Sequence, residues 1–499
     1  MRVLLVYPRY PDTFWSFRYA LKFISRKAAF PPLGLITVAS LMPEAWEKKL
    51  VDLNVRQLQE MDLEGIDYVF LSAMLVQQES VRQVLDLCHS KGVPVVAGGP
   101  LFMVSREGEF SDVDHLVLGE AEVTFPMFLR DLEAGNPKRV YTSDERPDLG
   151  MTPIPSWDLI CFKDYATMPV QYSRGCPFNC DFCDIIIMNG RVPRTKSDEQ
   201  MLMELDALYE RGWRGAVFIV DDNFIGHKHK VKQLLPKLIQ WNRKRRYPFN
   251  FITEASLNLA DDDELLSMMA QANFSQVFLG LETPNEGSLN DCNKVQNTQR
   301  DLVASVKRIQ RAGIEVLGGF IVGFDSDPPN IFEQQIQFIH RIGVVTAMVG
   351  VLQAVPGTKL YQKLKEQGRL LMNPSGNHTD GRLNFIPKMD TKVLLEGYHR
   401  IIDTIYSPRN YYDRVLTFLK EYRPCSKGRR VQFRDIKAFV RSLFVLGLLE
   451  SERRYYWRLI TKALLRYRKA FPEAVAATIY GYHFRKVLGA QAAEEQRRS

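Results

Sequence analysis

Three cysteines supply the clearest chemistry in this sequence. Cys176, Cys180 and Cys183 stand at CxxxCxxC spacing in the stretch Tyr-Ser-Arg-Gly-Cys-Pro-Phe-Asn-Cys-Asp-Phe-Cys. Three thiolates at this spacing can hold a four-iron cluster and leave one iron without a protein ligand. An iron with an open coordination position can bind a small molecule directly. The spacing therefore predicts a cluster that takes part in a reaction and does more than relay electrons.

A zinc site is the alternative for the same cysteines. Structural zinc is held by four Cys or His ligands in a closed tetrahedron. After Cys183 no further cysteine occurs until Cys292, so a fourth thiolate is not available nearby. The sequence thus favours the cluster over zinc.

The cysteine loop resembles that of the radical S-adenosylmethionine (SAM) enzymes, in which the amino and carboxylate groups of SAM bind the open iron. In that family the aromatic residue before the third cysteine packs near the adenine, and Phe182 has this place. The resemblance implies that Cys176, Cys180 and Cys183 hold a [4Fe-4S] cluster. It also implies that reduction cleaves SAM to a 5'-deoxyadenosyl radical, which takes hydrogen from unreactive C–H bonds.

Composition places these cysteines in a sizeable globular protein. The chain has 499 residues, 45% of them hydrophobic and 25% charged, which suggests a soluble protein of two to four domains. Four further cysteines are scattered without a disulfide-like rhythm, which indicates a reducing compartment: Cys88, Cys161, Cys292 and Cys425.

No segment has the features of a signal peptide or a membrane span. The start lacks a long apolar run and a small-residue cleavage site. The best apolar stretch, Ala438 to Leu449, is interrupted by Arg441 and is shorter than the roughly 18 residues that a span needs. We therefore expect a cytoplasmic enzyme, with contact to a membrane surface as an option.

Residues 1–140 alternate short β-branched runs with helical patterns, which predicts a doubly wound α/β domain with a parallel sheet. The predicted strands are Val3–Tyr7, Lys49–Leu53, Tyr68–Ser72, Pro94–Gly98 and His115–Leu118. Ligands of such sheets bind at the carboxyl ends of the strands, where glycine lets the backbone approach a large molecule. The loops at these ends contain the candidate residues Ser72, Gly98, Gly99, Pro100, Gly119 and Glu120.

This part resembles the cobalamin-binding domain that precedes the catalytic domain in one large group of radical SAM enzymes. The resemblance is carried by Phe30-Pro-Pro-Leu-Gly-Leu, Gly98-Gly-Pro and Gly119-Glu-Ala-Glu, and it implies that these loops bind cobalamin. The Asp-x-His-x-x-Gly loop of better-known cobalamin carriers is absent, and no histidine precedes His89. Cobalamin would then bind without a histidine on cobalt. A nucleotide-binding domain is the alternative, but no GxGxxG follows the first strand.

A second α/β unit follows a proline-rich linker at residues 141–170. Strand and helix patterns alternate over residues 171–365 and predict a partial (β/α) barrel. The predicted strands are Ala216–Val220, Phe249–Thr253, Gln276–Gly280, Glu315–Phe320 and Thr346–Leu352. Polar residues follow these strands, at the end where barrels place their functional groups: Asp221, Asp222, Asn223, Glu254, Glu282 and Asp325.

The resemblance to radical SAM enzymes assigns roles to several of these positions. It implies that Glu282 hydrogen-bonds the SAM ribose and that the other SAM-pocket residues are Asp222, Glu254, Gly319 and Gly323. A structural alternative remains open for the aspartates, since Asp221 or Asp222 could cap a helix that starts near Lys228. Asp325 is expected to be a turn residue. No catalytic residue is assigned beyond the cluster.

The last part of the chain divides into a barrel extension at residues 366–424 and a basic helical region at residues 425–499. The extension contains a polar, irregular candidate substrate loop around His378, a residue expected to lie at the surface. Between Lys427 and Lys486 there are fifteen Lys and Arg against four Asp and Glu, interleaved with aromatic residues. Such helices can lie on an anionic membrane, contact RNA phosphates, or present a solvated face.

Residues 1–410 together resemble cobalamin-dependent radical SAM enzymes, nearest to the branch of the hopanoid C-2 methylases. The resemblance implies a C-methyltransferase that acts on an unactivated carbon of a lipid or other hydrophobic metabolite, through a 5'-deoxyadenosyl radical and methylcobalamin. It implies an electron donor such as flavodoxin or ferredoxin, and no nucleic-acid substrate. One alternative keeps both cofactors for cyclisation, ring contraction or oxidation. Another is a non-catalytic cobalamin carrier or sensor.

Overall fold

Two six-stranded parallel sheets organise the chain in a computed structural model, which describes residues 1–105, 108–424 and 432–498. For residues 492–498 only the backbone is described. Cys425 and the start of the predicted basic region therefore lie outside the described residues. The predicted class, mixed α/β with parallel sheets, is confirmed.

The N-terminal sheet has the strand order β2-β1-β3-β4-β5-β6. Its strands are β1 (Arg2–Tyr7), β2 (Glu47–Asp52), β3 (Tyr68–Ser72), β4 (Val95–Gly98), β5 (His115–Val117) and β6 (Val140–Tyr141). Alternate side chains of β1 enter two separate apolar clusters, Leu4 on one face and Val3 on the other. The helices that cover these faces are α2 (Leu33–Leu41), α3 (Gln78–Ser90), α4 (Pro100–Val104) and α5 (Ala121–Glu133). The short helix α1 (Arg18–Leu21) packs instead against the C-terminal helix at Phe471–Arg498.

The second sheet is an open barrel in the order β14-β13-β12-β11-β10-β7, with all neighbours parallel. Its strands are β7 (Met168–Val170), β10 (Gly215–Ile219), β11 (Phe249–Ala255), β12 (Phe274–Glu282), β13 (Glu315–Val322) and β14 (Ala347–Val351). A small antiparallel pair, β8 (Ser173–Arg174) and β9 (Arg194–Thr195), encloses the cysteine loop.

Helices that follow the barrel strands cover the outer face of the barrel. They include α7 (Asp198–Glu210), α8 (Lys228–Lys244), α9 (Asp263–Gln271), α10 (Glu286–Asp291), α11 (Leu302–Arg311) and α12 (Ile331–Ile342). The most amphipathic of them, such as α11, bury Val306 and Ile309 against the strands. Two other helices lie at the cysteine loop: α6 (Ile185–Met188) directly follows it, and α13 (Lys359–Glu366) donates from the Leu360 N–H to the Asp181 carbonyl oxygen at 2.8 Å.

Both ends of the predicted linker are strands. Val140–Tyr141 completes the first sheet, and Met168–Val170 is the edge strand on which the barrel starts. The sequence hides the second of these because Pro169 breaks the strand pattern. Proline is tolerated at an edge, where its missing N–H leaves no ladder bond unmade. The cysteine loop therefore follows directly from the first barrel strand.

The C-terminal helices pack against the rest of the molecule. They are α14 (Thr391–Tyr406), α15 (Pro408–Glu421), α16 (Phe433–Phe444), a π-helix at Val445–Leu449, α17 (Arg453–Arg466) and α18 (Phe471–Arg498). Phe484 in α18 stacks on Phe14 with ring centroids 4.1 Å apart. The buried His483 donates through Nε2–H to the Phe14 carbonyl oxygen at 3.1 Å. Much of the predicted basic region is thus a clamp between the N-terminal segment and the barrel.

No helix within residues 1–105, 108–424 and 432–498 is long and apolar enough to cross a membrane.

Candidate functional site

The cysteine loop is held in place by two carboxylates at the end of β10. Asp221 accepts hydrogen bonds from the Tyr172 backbone N–H and the Ser173 hydroxyl, both at 2.7 Å. Asp222 accepts from the Gly175 backbone N–H at 2.7 Å. Neither aspartate caps α8, whose N-cap is His227. The capping alternative is therefore wrong, and Asp222, expected in the SAM pocket, binds the cysteine loop.

Burial of these aspartates is costly and is offset by the loop. Loss of solvation raises the pKa of Asp221 to about 7, against the hydrogen bonds from Ser173 and Tyr172 that lower it. Loss of solvation also raises the pKa of Asp222, against its bond from Gly175. A buried carboxylate without such donors would be strongly destabilising. The loop and the end of β10 are therefore one structural unit.

Two side-chain amides point at the thiols. Asn223 Nδ2 donates to the Cys176 sulfur at 3.7 Å, and Gln296 Nε2 donates to the Cys180 sulfur at 3.5 Å. Hydrogen bonds to sulfur are among the features that set the reduction potential of an iron–sulfur cluster. Three thiols on one loop with amide donors beside them fit the predicted cluster. Within the described residues, no three Cys, His, Asp or Glu side chains meet as ligands of a single metal ion.

Glu282, predicted to bind the SAM ribose, ends β12 in an unusual conformation. Its φ is +58°, and the register with β13 shifts between Gly280 and Glu282. Its carboxylate lies 2.7 Å from the ammonium of Lys294. Although burial opposes it, the charges of Glu282 and Cys180 raise the pKa of Lys294. Lys294 and Gln296 come from the turn after α10, and sequence reasoning missed both because no motif marks them.

Two glycines expected in the SAM pocket, Gly319 and Gly323, lie in β13 and directly after it. A side chain at Gly319 would come within 2.9 Å of the Phe278 ring. Gly323 has φ +103°, and its N–H donates to Asp327 at 2.8 Å. The Phe182 ring lies 5.8 Å from the Lys294 ammonium. Glycine is therefore favoured at Gly319 by the neighbouring ring and at Gly323 by its backbone conformation.

Asp325 is a salt-bridge residue, which is more than the turn role expected of it. Its carboxylate binds Arg369 through two hydrogen bonds of 2.7 and 2.8 Å. Arg369 lowers the pKa of Asp325. This pair ties the loop after β13 to the segment after α13.

Loss of solvation shifts the pKa of two further side chains of the barrel region, Glu254 and His378. Loss of solvation raises the pKa of Glu254, at the end of β11, to about 7, with Asp222 and Asp221 adding repulsion. Loss of solvation also lowers the pKa of His378, opposed by the charge of Asp184. Glu254 is partly buried, whereas His378 is exposed, as expected of a surface residue.

The inner face of the barrel is lined with apolar side chains. Phe218, Phe278 and Met348 alternate with buried residues that face the helices, and they keep partial exposure. Trp15 and Phe30 of the N-terminal segment pack onto them, with ring centroids 5.6 Å from Phe278 and 5.7 Å from Phe218 respectively. The barrel therefore encloses an aromatic surface that is not fully covered.

At the carboxyl edge of the N-terminal sheet, the predicted cobalamin loops offer mainly glycines and uncharged backbone groups. Gly99 has φ +94°, and a side chain there would come within 2.6 Å of the Ser72 hydroxyl. A side chain at Gly98 would come within 2.7 Å of the Val117 carbonyl oxygen. Gly119 has φ +88°, and Pro100 begins α4. Because the glycines are sterically required, the strand ends form a smooth rim that could accept a large flat ligand.

Glu120 differs from the rest of this rim. Its carboxylate is buried and binds Arg174 at 2.7 Å and Arg194 at 2.6 Å, on the two strands that enclose the cysteine loop. Glu122 also binds Arg174 at 2.7 Å. Although burial opposes it, Arg174 lowers the pKa of Glu122 to about 2. Glu120 stays a predicted cobalamin contact, and in the structure its carboxylate joins the loop after β5 to β8 and β9.

The candidate substrate loop spans the gap between the two strand-end rims. A side chain at Gly376 would come within 2.7 Å of the Val76 backbone nitrogen, in the loop after β3. A side chain at Gly350, in β14, would come within 2.6 Å of the His378 carbonyl oxygen. The loop thus contacts the N-terminal rim and the barrel at once.

Comparisons with known proteins agree with this geometry. The radical SAM superfamily matches residues 170–339, and a domain of unknown function, DUF4070, matches residues 358–497. An uncharacterized methyltransferase of Synechocystis sp. is 40% identical over 489 residues, which is 97% of this chain and 91% of the relative. The hopanoid C-2 methylase of Rhodopseudomonas palustris is 36% identical over 399 residues, 79% of this chain and 75% of the relative.

The chain belongs to the cobalamin-binding radical SAM methylase family. It is therefore an enzyme, a radical SAM methyltransferase, and the alternative of a non-catalytic carrier is set aside. The family's cofactors are the [4Fe-4S] cluster, SAM and cobalamin, as the sequence predicted. The individual residues assigned to each cofactor stay predictions.

Two solved structures share the fold of this radical SAM methylase. The cobalamin-dependent radical SAM enzyme OxsB with aqua-cobalamin bound has a TM-score of 0.63 at 16% identity, over 100% of this chain and 81% of that one. The methyltransferase TsrM from Kitasatospora setae, with cobalamin and a [4Fe-4S] cluster bound, has a TM-score of 0.60 at 15% identity, over 95% and 99%.

Proposed function

We propose that this methylase transfers a methyl group to an unactivated carbon of a lipid or a similarly hydrophobic metabolite. The observation that carries the substrate class is the partly exposed aromatic surface inside the barrel, formed by Trp15, Phe30, Phe218, Phe278 and Met348. Apolar ligands bind surfaces of this kind because they remove them from water. The similar hopanoid C-2 methylase, whose name refers to a lipid, supports the same class.

The barrel rim would hold the cluster and SAM. Cys176, Cys180 and Cys183 would bind the cluster, and Glu282, held by Lys294 at 2.7 Å, would accept a hydrogen bond from the ribose of SAM. When bound, the cluster and SAM supply a carbon-centred radical that removes hydrogen from the substrate. The residues themselves orient SAM and keep water from the radical, which requires close positioning and no catalytic base.

The rim of residues 1–140 would bind cobalamin, and the barrel of residues 171–365 would face it. Ser72, Gly98, Gly99, Pro100 and Gly119 offer shape and backbone groups, and the loop after β1 contains no histidine that could bind cobalt. The loop around His378 would close the side of the space between the two rims, where the substrate would lie.

The same proposal includes two partners. Reduction of the cluster needs a low-potential donor such as flavodoxin or ferredoxin. The basic C-terminal region would make peripheral contact with a membrane, since its Lys and Arg outnumber its Asp and Glu by fifteen to four.

Growth on methionine with a trideuterated methyl group tests the function. Lipids from cells with the gene and cells without it would be compared by mass spectrometry, with the deleted strain complemented by wild type, Cys183→Ala or Met61→Asp. We expect a lipid that carries a CD3 group only with wild type and with the surface variant Met61→Asp. In vitro, methylated product and 5'-deoxyadenosine should form in equal amounts.

Three outcomes would contradict the proposal. Deoxyadenosine with an unmethylated product would instead support cyclisation, ring contraction or oxidation. Methylated product without deoxyadenosine would exclude the radical route. A CD3 group on peptides or tetrapyrroles, with lipids unchanged, would overturn the substrate class.

A further inference from the structure

Helix α16 presents an apolar face to solvent. Phe433, Ile436, Val440 and Phe444 recur at spacings of three and four residues, so they lie on one side of the helix. Phe433 is 82% exposed, Val440 56% and Phe444 60%, whereas Ala438 on the other side is buried. A helix usually turns such a stripe toward the core. Here the stripe faces outward, although the helix is docked.

The apolar surface continues beyond α16. Leu448 and Leu449, in the π-helix that follows, are 55% and 68% exposed. Trp457 of α17 folds back onto this turn, where its Nε1–H donates to the Gly447 carbonyl oxygen at 2.9 Å. We call the whole surface the apolar patch; it comprises Phe433, Ile436, Val440, Phe444, Leu448, Leu449 and Trp457. Single exposed apolar residues need no explanation, but a contiguous group does.

Positive charge accompanies the patch. Lys437, Arg453 and Arg454 are exposed beside it and have no carboxylate partner among the described residues. The acidic residues nearby have partners of their own: Glu450 pairs with Lys486 and Glu452 with Arg485, both in α18. Asp435 accepts a hydrogen bond from the Gln432 backbone N–H at the start of α16. The result is an apolar stripe flanked by lysine and arginine.

We infer that the apolar patch docks on the surface of an anionic lipid bilayer. Aliphatic and aromatic side chains would enter the boundary of headgroups and acyl chains, and the cations would contact anionic headgroups. This deepens the membrane contact of the proposed function, on which it rests, and assigns that contact to α16, the π-helix and α17. It excludes α18, whose central residues are buried.

The patch lies far from the cysteine loop. Gln432, just before α16, donates to the Arg214 carbonyl oxygen, and Arg434 lies against Gly215 at the start of β10. The cysteine loop lies at the other end of the same strand. The patch therefore anchors the enzyme and does not line the path of the substrate.

Other occupants fit this surface less well. A two-fold dimer would place the patch against its own copy, so that like charges of Lys437, Arg453 and Arg454 would be brought together. Nucleic acid would use the cations and stack on aromatic rings, but it offers nothing to the aliphatic residues Ile436, Val440, Leu448 and Leu449. A bilayer with anionic headgroups matches both components.

Co-sedimentation with vesicles tests the inference on the full-length, cofactor-loaded enzyme. Wild type should pellet with vesicles that contain phosphatidylglycerol and stay in solution with pure phosphatidylcholine vesicles. V440D/F444D should bind at least about tenfold less, since each change removes one apolar anchor. Lys437→Glu should weaken binding by less, and added salt should weaken it further. Met61→Asp, which replaces a 66% exposed residue of the N-terminal domain, is the matched control and should bind as wild type does.

The inference is overturned if wild type ignores anionic vesicles, or if V440D/F444D pellets as wild type does while retaining its iron. It is also overturned if wild type forms dimers that V440D/F444D dissociates, or if the variant loses RNA binding instead of vesicle binding. Vesicle binding needs no turnover, so the two proposals can fail separately. Binding without any labelled lipid contradicts the lipid substrate alone, and labelled lipid without binding contradicts the docking surface alone.

Discussion

The carboxyl edges of the two parallel sheets are both proposed to bind a cofactor, but they are built from different groups. The barrel edge carries buried charge, in Asp221, Asp222 and Glu282, and partners it with backbone N–H groups or with Lys294. The N-terminal edge carries glycine and backbone, and its buried carboxylate, Glu120, is bound by arginines of the barrel side.

The difference follows from what each edge would hold. A small charged cofactor is fixed by charged groups at short distance, whereas a large flat one is fixed by shape. Substitutions should therefore act differently at the two edges. On the barrel side they should change charge and redox properties, and on the N-terminal side they should change steric fit. Substitutions at the ion pairs of Arg174 with Glu120 and Glu122, which connect the two regions, should affect both edges.

The largest effect is expected from Cys176→Ala. With two thiolates left, the cluster should be lost almost completely, while cobalamin binding at the other edge is retained. Iron analysis and visible absorption after anaerobic purification measure both cofactors in one sample. Cys161→Ala, at an exposed cysteine, should keep full iron. If both variants lost iron equally, Cys176 would not be a specific ligand of the cluster.

The second-largest effect is expected from breaking the ion pairs of Arg174 with Glu120 and Glu122. Arg174→Met leaves Glu120 and Glu122 buried without this partner, which should cost about 3–5 kcal/mol of stability at neutral pH. Urea unfolding followed by fluorescence measures the cost. Arg82→Met breaks a half-exposed pair with Asp112 and should cost at most about 1 kcal/mol.

The ion pair of Arg174 with Glu122 also makes the stability of the enzyme depend on pH. The pKa of Glu122 is about 2 in the folded enzyme, below the value of about 4.5 expected for the unfolded chain. Its contribution is therefore complete above about pH 4.5 and is lost as the pH falls toward 2. Arg174→Met should lose less stability than wild type across this window. If the stability of the two proteins changed with pH in the same way, the acid sensitivity would come from groups other than Glu122.

Gly99→Ala tests the role of shape at the N-terminal edge. The new methyl group would meet the Ser72 hydroxyl at 2.6 Å at a φ of +94°. We expect cobalamin affinity to fall about tenfold or more with iron content unchanged, because the strain is local. S72A/G99A should recover part of the loss. Gly92→Ala has φ +65° and open space, so it should leave affinity unchanged. Intact affinity in Gly99→Ala would move cobalamin away from this rim.

Sequence reasoning reached different depths in the two regions. Strand patterns located β3 to the residue, and the cysteine spacing located the candidate cluster loop, because both depend on neighbours along the chain. The partners of Glu120 could not be foreseen, since Arg174 lies 54 residues away and meets it only when the two sheets dock. Gln296 carries no local signal either, because a glutamine in a turn is ordinary until a thiol 116 residues away lies beside it.

Gln296→Leu should produce the smallest effect and should refine the comparison most. It removes one donor to the Cys180 sulfur and leaves the ligands intact. The lost bond stabilises the extra negative charge of the reduced cluster, so the reduction potential should fall. A hydrogen bond worth about 1 kcal/mol corresponds to roughly 20–60 mV for one electron. A redox titration followed by electron paramagnetic resonance measures it, with Gln271→Leu, at an exposed glutamine, as control. An unchanged or higher potential would show that charge at the barrel edge, chiefly Lys294, sets the potential without help from the amide.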